Sequence, residues 1–397
     1  MKILFTHRYF WPDTAPYAAL MRRLAEEMAE AGHEVSVFAS RPSYRGGGSA
    51  PRRERLGALD VTRIWVLAEN RRNPAARMFN VLIYCLGLVW HILRTRPDVV
   101  TASTFPPVMA AWSASVAARL CGAQFVYHMQ DIHPEVSEIS GGLLGRQPLA
   151  GLLRWLDNQS LRRAAAIVVL SEDMADTLQA RMARKLPIHV INNFQLPSFE
   201  DDIPPPRDLA KPKGITRIIF AGNLGRFQNL PRLVEGVLGA CPPGAPREVL
   251  LLGDGAAVPE LRQRFGDHPN LRFAPFLPYA QARVLIAEAD VGLVSLTPGI
   301  YRVAYPSKML TYLGLGVPVL ALVEAQSALA RTLHDAALGK VPASDAPDAI
   351  AAALEELLLA PPSTEALREW YTGEAAQAPV MARWRGLFAD LASTDPA

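Results

Sequence analysis

The sequence predicts an α/β fold built from two Rossmann-like domains in succession, with a cleft between them. Three observations carry that expectation: a length of 397 residues, a strand–helix–strand rhythm that starts at the N-terminus and restarts near residue 214, and a proline- and charge-rich stretch between the two series. A chain this long exceeds what one hydrophobic core organises. Half its residues are apolar and a fifth charged, which is ordinary for a globular protein and excludes wholesale disorder. Strands that alternate with helices imply parallel sheets, whose ligands bind beyond the strands' carboxyl ends.

The first unit opens with Ile3-Leu4-Phe5 as a strand, a loop from His7 to Pro16, and helical periodicity from Tyr17 to Ala31. Gly32-His33 stops that helix, and Glu34 to Phe38 alternates as the next strand. Val99-Val100 with the helix Val108 to Leu120, then Phe125 to Tyr127, Ile167 to Leu170 and Ile188 to Ile191 continue the series. Pro197 to Pro212 lacks periodicity and reads as a linker. Beyond it, Arg217 to Phe220, Glu248 to Leu252, Asn270 to Phe273, Val291 to Val294 and Val317 to Leu320 supply the second set of strands. The expected organisation is therefore a domain over 1–196, a linker over 197–213, a domain over 214–363 and a helical segment over 364–397.

A formal net charge of only +3 gives no argument for nucleic acid. Arginines do cluster locally at Arg52, Arg53, Arg55, Arg63, Arg71, Arg72 and Arg77, which predicts an electropositive surface segment. It leads into the apolar run Met78 to Leu93, shorter than the ~20 residues of a spanning helix and interrupted by Asn80 and His91. Either a buried helix or an interfacial one with arginines at its ends satisfies that pattern. Cys85, Cys121 and Cys241 are far apart, so neither a disulfide framework nor a zinc site is expected, and a reducing cytoplasm fits. The N-terminus turns polar at Thr6-His7-Arg8, without the apolar core of a signal peptide.

Three segments carry candidate chemistry. Phe220 to Asn229 (FAGNLGRFQN) lies between a strand and a helix, where Gly222 lets backbone approach a ligand and Arg226 offers charge to a phosphate. Tyr305-Pro306-Ser307-Lys308 begins a helix whose unpaired amides, hydroxyl and ammonium make a compact diphosphate site. His128, Asp131, His133 and Glu135 crowd the end of a strand, and sugar transfer needs an imidazole or carboxylate to accept or orient the acceptor proton. Gly314 and Gly316 fit close packing rather than ligand contact.

As an ordered set these segments resemble glycosyltransferase family 4, in its bacterial branch of colanic-acid and O-antigen (fucosamine-type) sugar transferases. The resemblance runs nearly end to end, through GHEV, YHMQD, INNF, FAGNLGRFQN, LLGDG, PFLP and AYPSKMLTYLGLGVPVL. It implies a GT-B fold, a UDP- or GDP-sugar donor bound mainly by the C-terminal domain, no required metal, and retention of anomeric configuration. It also implies that the C-terminal segment crosses back to the N-terminal domain. The donor residues it implies are Gly222, Asn223, Arg226, Gln228, Asp254, Pro306, Ser307, Lys308 and Thr311, with Phe276 and Leu277 bordering the base. The catalytic residues it implies are His128, Asp131 and Glu135; His7, Tyr9, Trp11 and Asn193 are the acceptor-side candidates.

The sequence departs from the family pattern in two places. Two glutamates eight positions apart are replaced by Val303 and Thr311, and the basic RxxxxK phosphate pair by Asn223 and Gln228. The function expected is transfer of a sugar to a polyprenyl-diphosphate-linked intermediate of exopolysaccharide, capsule or O-antigen. The enzyme would sit peripherally on the cytoplasmic face of the plasma membrane through the Arg71–Leu93 region. A GT-B nucleotide-sugar epimerase and an inactive nucleotide-sugar-binding pseudo-transferase remain the alternatives.

Overall fold

The computed structural model describes residues 1–13, 15–41, 50–67, 74–195 and 203–393. Arg71, Arg72, linker residues 197–202 and the side chain of Arg226 lie outside that set. The chain splits into two compact units, one comprising Met1–Asn192 with the stretch from Val380 onward, the other Asn193–Pro379.

The first unit runs β1 (Lys2–Thr6), α1 (Pro16–Glu30), β2 (Glu34–Ser40), β3 (Arg53–Leu56), β4 (Leu59–Ile64), α2 (Pro74–Thr95), β5 (Val99–Ser103), α3 (Met109–Cys121), β6 (Gln124–His128), α4 (Glu135–Ile139), α5 (Leu149–Arg163), β7 (Ala166–Val169), α6 (Glu172–Ala180) and β8 (Ile188–Val190). Among the described residues eight strands form one sheet in the order β3-β4-β2-β1-β5-β6-β7-β8. The interior strands are continuous apolar runs because helices cover both faces of a parallel sheet; β5 is buried throughout. Of these eight strands, β3 and β4 alone pair antiparallel. Right-handed crossovers from β4 to β5, β5 to β6 and β6 to β7 all step the same way, so α2, α3 and α5 share one face, while α1, stepping from β1 to β2, takes the other.

Two expectations change here. Arg63 is not part of a surface cluster: it is fully buried and donates to the Trp11 carbonyl (2.7 Å) and to Glu54 (2.6 Å), tying the loop after β1 to the β3–β4 hairpin. A buried guanidinium needs such partners, since an unpaired one costs far more than its hydrogen bonds return. The apolar run is also longer as a helix than as a sequence pattern, because Pro74 starts the helix before Met78. At 22 residues α2 is long and apolar enough, by length and composition, to cross a membrane. Its inner face packs on the sheet through Tyr84, Cys85, Leu88 and Ile92. Asn80, on that inner side, exchanges hydrogen bonds with the backbone of Leu67 (2.8 and 3.0 Å).

The second unit runs β9 (Thr216–Ala221), α7 (Leu230–Gly239), β10 (Arg247–Leu252), α8 (Val258–Phe265), β11 (Leu271–Ala274), α9 (Tyr279–Ala287), β12 (Val291–Ser295), α10 (Lys308–Gly314), β13 (Val319–Leu322), α11 (Ala328–Asp335), β14 (Gly339–Lys340), α12 (Pro347–Leu359) and α13 (Thr364–Trp370), and α14 (Gln377–Ser393) comes after it. Its parallel sheet has the order β11-β10-β9-β12-β13-β14 among the described residues. Ile218, Phe220, Val249 and Leu251 pack with α7 and α12 in its core. Gly314 and Gly316 are packing positions: a Cβ on them would meet Gln195 and Thr364 at 2.5 and 2.4 Å.

From Val380 on, α14 belongs to the first unit. Phe388 packs on Phe5 of β1 (6.0 Å between ring centroids), Arg385 pairs with Glu27 of α1, and Gln124 donates to the Leu391 carbonyl.

Candidate functional site

In the second unit the chain leaves β9 into Ala221-Gly222-Asn223-Leu224-Gly225, and leaves β10 into Gly253-Asp254-Gly255. The two loops are laced together. Gly222 N–H donates to the Leu252 carbonyl (2.9 Å), Leu224 N–H to that of Asp254 (3.0 Å), and Ala257 N–H to that of Leu224 (3.0 Å). Gly253 is required for this approach, since it sits at φ +137° and a Cβ there would lie 1.9 Å from the Gly222 oxygen. Gly222 is itself left-handed, at φ +118°. The Gln228 side chain folds back to accept from the Gly225 amide (3.1 Å), closing the 3₁₀ turn Arg226–Gln228. Because α7 starts only at Leu230, the strand runs into this turn and not directly into a helix end.

Beneath this platform lies Lys308, the first residue of α10. Its Nζ is shielded from solvent, has no hydrogen-bond partner, and stands 3.4 Å from the centroid of the Phe220 ring. Burial pushes its pKa down to about 7. A Cβ on Gly222 would be 3.9 Å from that nitrogen, which places the cation directly under the glycine loop. Tyr312, one turn along α10, accepts from the Ala221 amide (2.9 Å) and locks helix to loop. Pro306 is half-buried, whereas Ser307, Asn223 and Asp254 are exposed; Asp254 accepts from the Gly255 amide (2.8 Å). Phe276 presents an exposed ring beside half-buried Leu277 after β11. Of the two positions where the family pattern has glutamates, Val303 is buried and Thr311 is half-buried.

In the first unit the ends of β1 and β6 gather an aromatic and imidazole cluster. His7, buried, holds its Nδ1 at 2.8 Å from the Tyr9 carbonyl, and burial lowers its pKa to about 4. His128 has both ring nitrogens engaged, Nδ1 with the Tyr17 hydroxyl and Nε2 with the Gln130 amide, each at 2.8 Å. Desolvation, with the His7 charge adding to it, pulls its pKa down to about 3, so the ring is neutral at any physiological pH. Trp384 of α14 packs edge-on against it (4.9 Å), and Tyr9 stacks on Phe105 (5.1 Å). Trp11 carries the Arg22 guanidinium over its ring at 4.8 Å. Asn193, buried, falls to the second unit.

Asp131 comes three residues after His128, and burial raises its pKa to about 6. Glu135 has a different setting. Its carboxylate accepts from Arg154 (2.8 Å) and lies 3.7 Å from Arg181, which also binds the fully buried Asp157, itself the acceptor for the Tyr127 hydroxyl. That network ties α4, α5 and α6 to β6. His133, lowered to about 4 by burial, contacts Ser137. The residues that sequence patterns did not single out are Tyr17, Gln130, Trp384 and Tyr312. Tyr17 and Gln130 carry no local signal, and Trp384 is 256 positions from His128 along the chain. Among the described residues no group of three or more His, Cys, Asp or Glu side chains is placed to hold a metal ion.

Two Rossmann-like units, one with a glycine platform over a lysine whose ammonium is shielded from solvent, have the architecture of GT-B proteins. Residues 17–193 match the glycosyl transferase 4-like domain family, which supports a family 4-like glycosyltransferase. It is 25% identical to WbjE of Pseudomonas aeruginosa, named as a glycosyltransferase, over 71% of each chain. It is 24% identical to WcaI of Escherichia coli K12, named as a colanic acid biosynthesis glycosyl transferase, over 93% of this chain and 95% of that one. The solved structure of HepE from Anabaena in complex with UDP superposes with a TM-score of 0.67 at 15% identity, covering 98% of this chain and all of that one.

Proposed function

We propose that the protein transfers a sugar from a nucleoside-diphosphate donor, a UDP- or GDP-sugar, to a polyprenyl-diphosphate-linked intermediate of a surface polysaccharide, with retention. One observation carries the donor side: a desolvated ammonium with no hydrogen-bond partner or anion lies under a glycine loop whose backbone can be closely approached. A diphosphate is the ligand that satisfies it, because it supplies the missing anion and tolerates close backbone contact. Asn223, Gln228 and Ser307 add neutral donors, Arg226 adds charge, and Pro306 and Thr311 shape the helix entrance. Gly222 and Asp254 form the platform edge, and Phe276 with Leu277 borders the base.

In the reaction, the bond from the anomeric carbon to the diphosphate breaks and the acceptor oxygen bonds to that carbon. The nucleoside diphosphate leaves with the electron pair, and Lys308 stabilises the charge that develops on it. Asp131 orients or accepts the acceptor proton, its raised pKa suiting a group that works near neutrality. His128, held neutral and partnered on both nitrogens, is a hydrogen-bonding wall for the acceptor rather than a base. His7, Tyr9 and Trp11 line the acceptor side, and we assign Glu135 to holding α4 and α5 in place. Names of relatives support the polysaccharide context: WcaI carries colanic acid biosynthesis in its name. The outer face of α2, with Phe79, Leu82, Leu86 and Trp90 exposed, supports docking on the cytoplasmic leaflet, where a lipid-linked acceptor resides.

The test is incubation of the purified protein with UDP- and GDP-sugars, with and without lipid extracts. Free nucleoside diphosphate released only when lipid acceptor is present supports the reading. An isomerised sugar identifies an epimerase. Donor binding without turnover identifies an inactive binder, for which buried Val303 in place of a glutamate would account.

A further inference from the structure

Exposed large hydrophobic side chains are concentrated on one face of the first unit. On α2 they form a stripe including Leu82, Leu86 (60% exposed) and Trp90 (69%). A second set, absent from the docking region that the sequence suggests, lies on α5 and the turn before it: Leu143 (70%), Leu149, Leu152 (55%) and Trp155 (56%). Leu152 and Trp155, three residues apart, share the side of α5 turned away from its buried Leu153, Asp157 and Leu161, and Leu149 lies at the border of the two sides. The alanine- and serine-rich α3 packs against both α2 and α5. The direction of the crossovers puts all three helices on the same side of the sheet. The two apolar stripes therefore belong to one layer.

Charge decides what this layer fits. The helices α2 and α3 contain no acidic residue, and the sole acid of α5, Asp157, is buried against Arg181. The exposed charges on these helices and at their ends are mostly cationic: Arg77 and Arg94 on α2, Arg119 on α3, Arg146 before α5 and Arg162 within it, against Asp98 just after α2. A second copy of this chain on a two-fold axis would set these arginines against their own equivalents, which disfavours self-association. An anionic lipid surface meets both features at once, apolar stripes in the acyl boundary and arginines among headgroups. The chain also runs from Asp131 straight through α4 to Leu143 and α5, so the acceptor-side loop is continuous with this surface.

We infer that the protein docks on anionic bilayers through two helices, α2 and α5, on either side of α3, and that α5 carries the acceptor-side loop to the lipid surface. This rests on the membrane-docking reading above and extends it to a second, separate contact.

The experiment uses the full chain with vesicles of phosphatidylcholine alone or mixed with phosphatidylglycerol, some carrying bromine in the acyl chains. Bromine quenching of tryptophan fluorescence should fall in both Trp90→Phe and Trp155→Phe. Co-sedimentation with anionic vesicles should weaken about tenfold or more in Leu152→Glu, while UDP-induced thermal stabilisation stays unchanged, showing an intact fold. Quenching confined to Trp90, with Leu152→Glu inert, would overturn the α5 contact and leave α2 docking standing. No binding to any vesicle would overturn docking altogether, with the donor reading still decided by UDP. Equal binding to both vesicle types overturns the anionic partner. A dimer in light scattering that Leu152→Glu dissociates assigns the face to a second copy instead.

Discussion

The two candidate half-sites solve opposite problems. In the first unit the polar groups around His128 are satisfied before any ligand arrives: Tyr17 and Gln130 occupy both ring nitrogens, and Trp384 closes the edge. In the second unit, Lys308 is held in apolar surroundings with no anion, against the face of Phe220. A satisfied network costs little and fixes geometry, whereas an unpartnered buried ammonium destabilises the empty protein and rewards the ligand that neutralises it. On the proposed assignment, acceptor positioning is built into the resting fold, while donor affinity is stored as an unmet charge.

Asp131→Asn puts the greatest strain on this division of labour. Turnover should fall roughly 10²- to 10⁴-fold, the range for a lost general acid–base group, while donor affinity by calorimetry changes little. Equal losses in both would make Asp131 a support of the whole fold.

Next in size, Lys308→Met should weaken donor binding about ten- to a hundredfold, because a charge-assisted contact is worth about 1.5–3 kcal/mol. The same variant should raise the melting temperature of the ligand-free protein. Both changes are readable in one thermal-shift series with and without UDP, and a variant that loses stability would remove the stored-charge account.

The pH dependence rests on the same group. Lys308 in the empty protein sits at about 7, lowered by desolvation, and a bound diphosphate raises it. Donor affinity should therefore be flat below about pH 6 and decline by up to about tenfold per unit above 7, as binding then requires proton uptake. For folding the sign is opposite: the unfolded lysine holds its proton to higher pH, so the protein is progressively destabilised as pH falls below the unfolded value toward 7, and the penalty shrinks as pH rises again. A pH-independent donor affinity would mean that Lys308 is not the linked group.

The smallest expected effect is that of Tyr17→Phe, which removes one hydrogen bond worth about 0.5–1.5 kcal/mol. Turnover should drop about two- to tenfold with donor affinity untouched, and the pH profile of donor binding should keep its shape.

Much of the fold was legible because buried parallel strands write themselves as apolar runs, as Val99-Val100 and Ile218 to Phe220 do. The β3–β4 hairpin was not, since Arg53, Glu54 and Arg55 on an edge strand lack that signature and Arg63 looks like a surface charge until Glu54 and the Trp11 carbonyl are seen around it. The segment bearing His128 and Asp131 was visible as a run of functional side chains after a strand. The distinction among its members was not: Glu135 reads like a third catalytic group, but Arg154 and Arg181, which occupy its carboxylate, are 19 and 46 positions further on. Exposure of α5 was illegible for a similar reason, because Leu149 to Trp155 alone cannot say which side meets the sheet.

The return of α14 to the first unit bears on biosynthesis. Phe388 lies on β1 and Trp384 packs beside His128, yet both are translated only after the whole second unit. The nascent N-terminal sheet can form early, but it must wait through the making of the entire second unit with that wall missing. On the proposed assignment the acceptor side is finished only after Trp384 is made, so a chain ending at Pro379 should still hold nucleotide while lacking that wall.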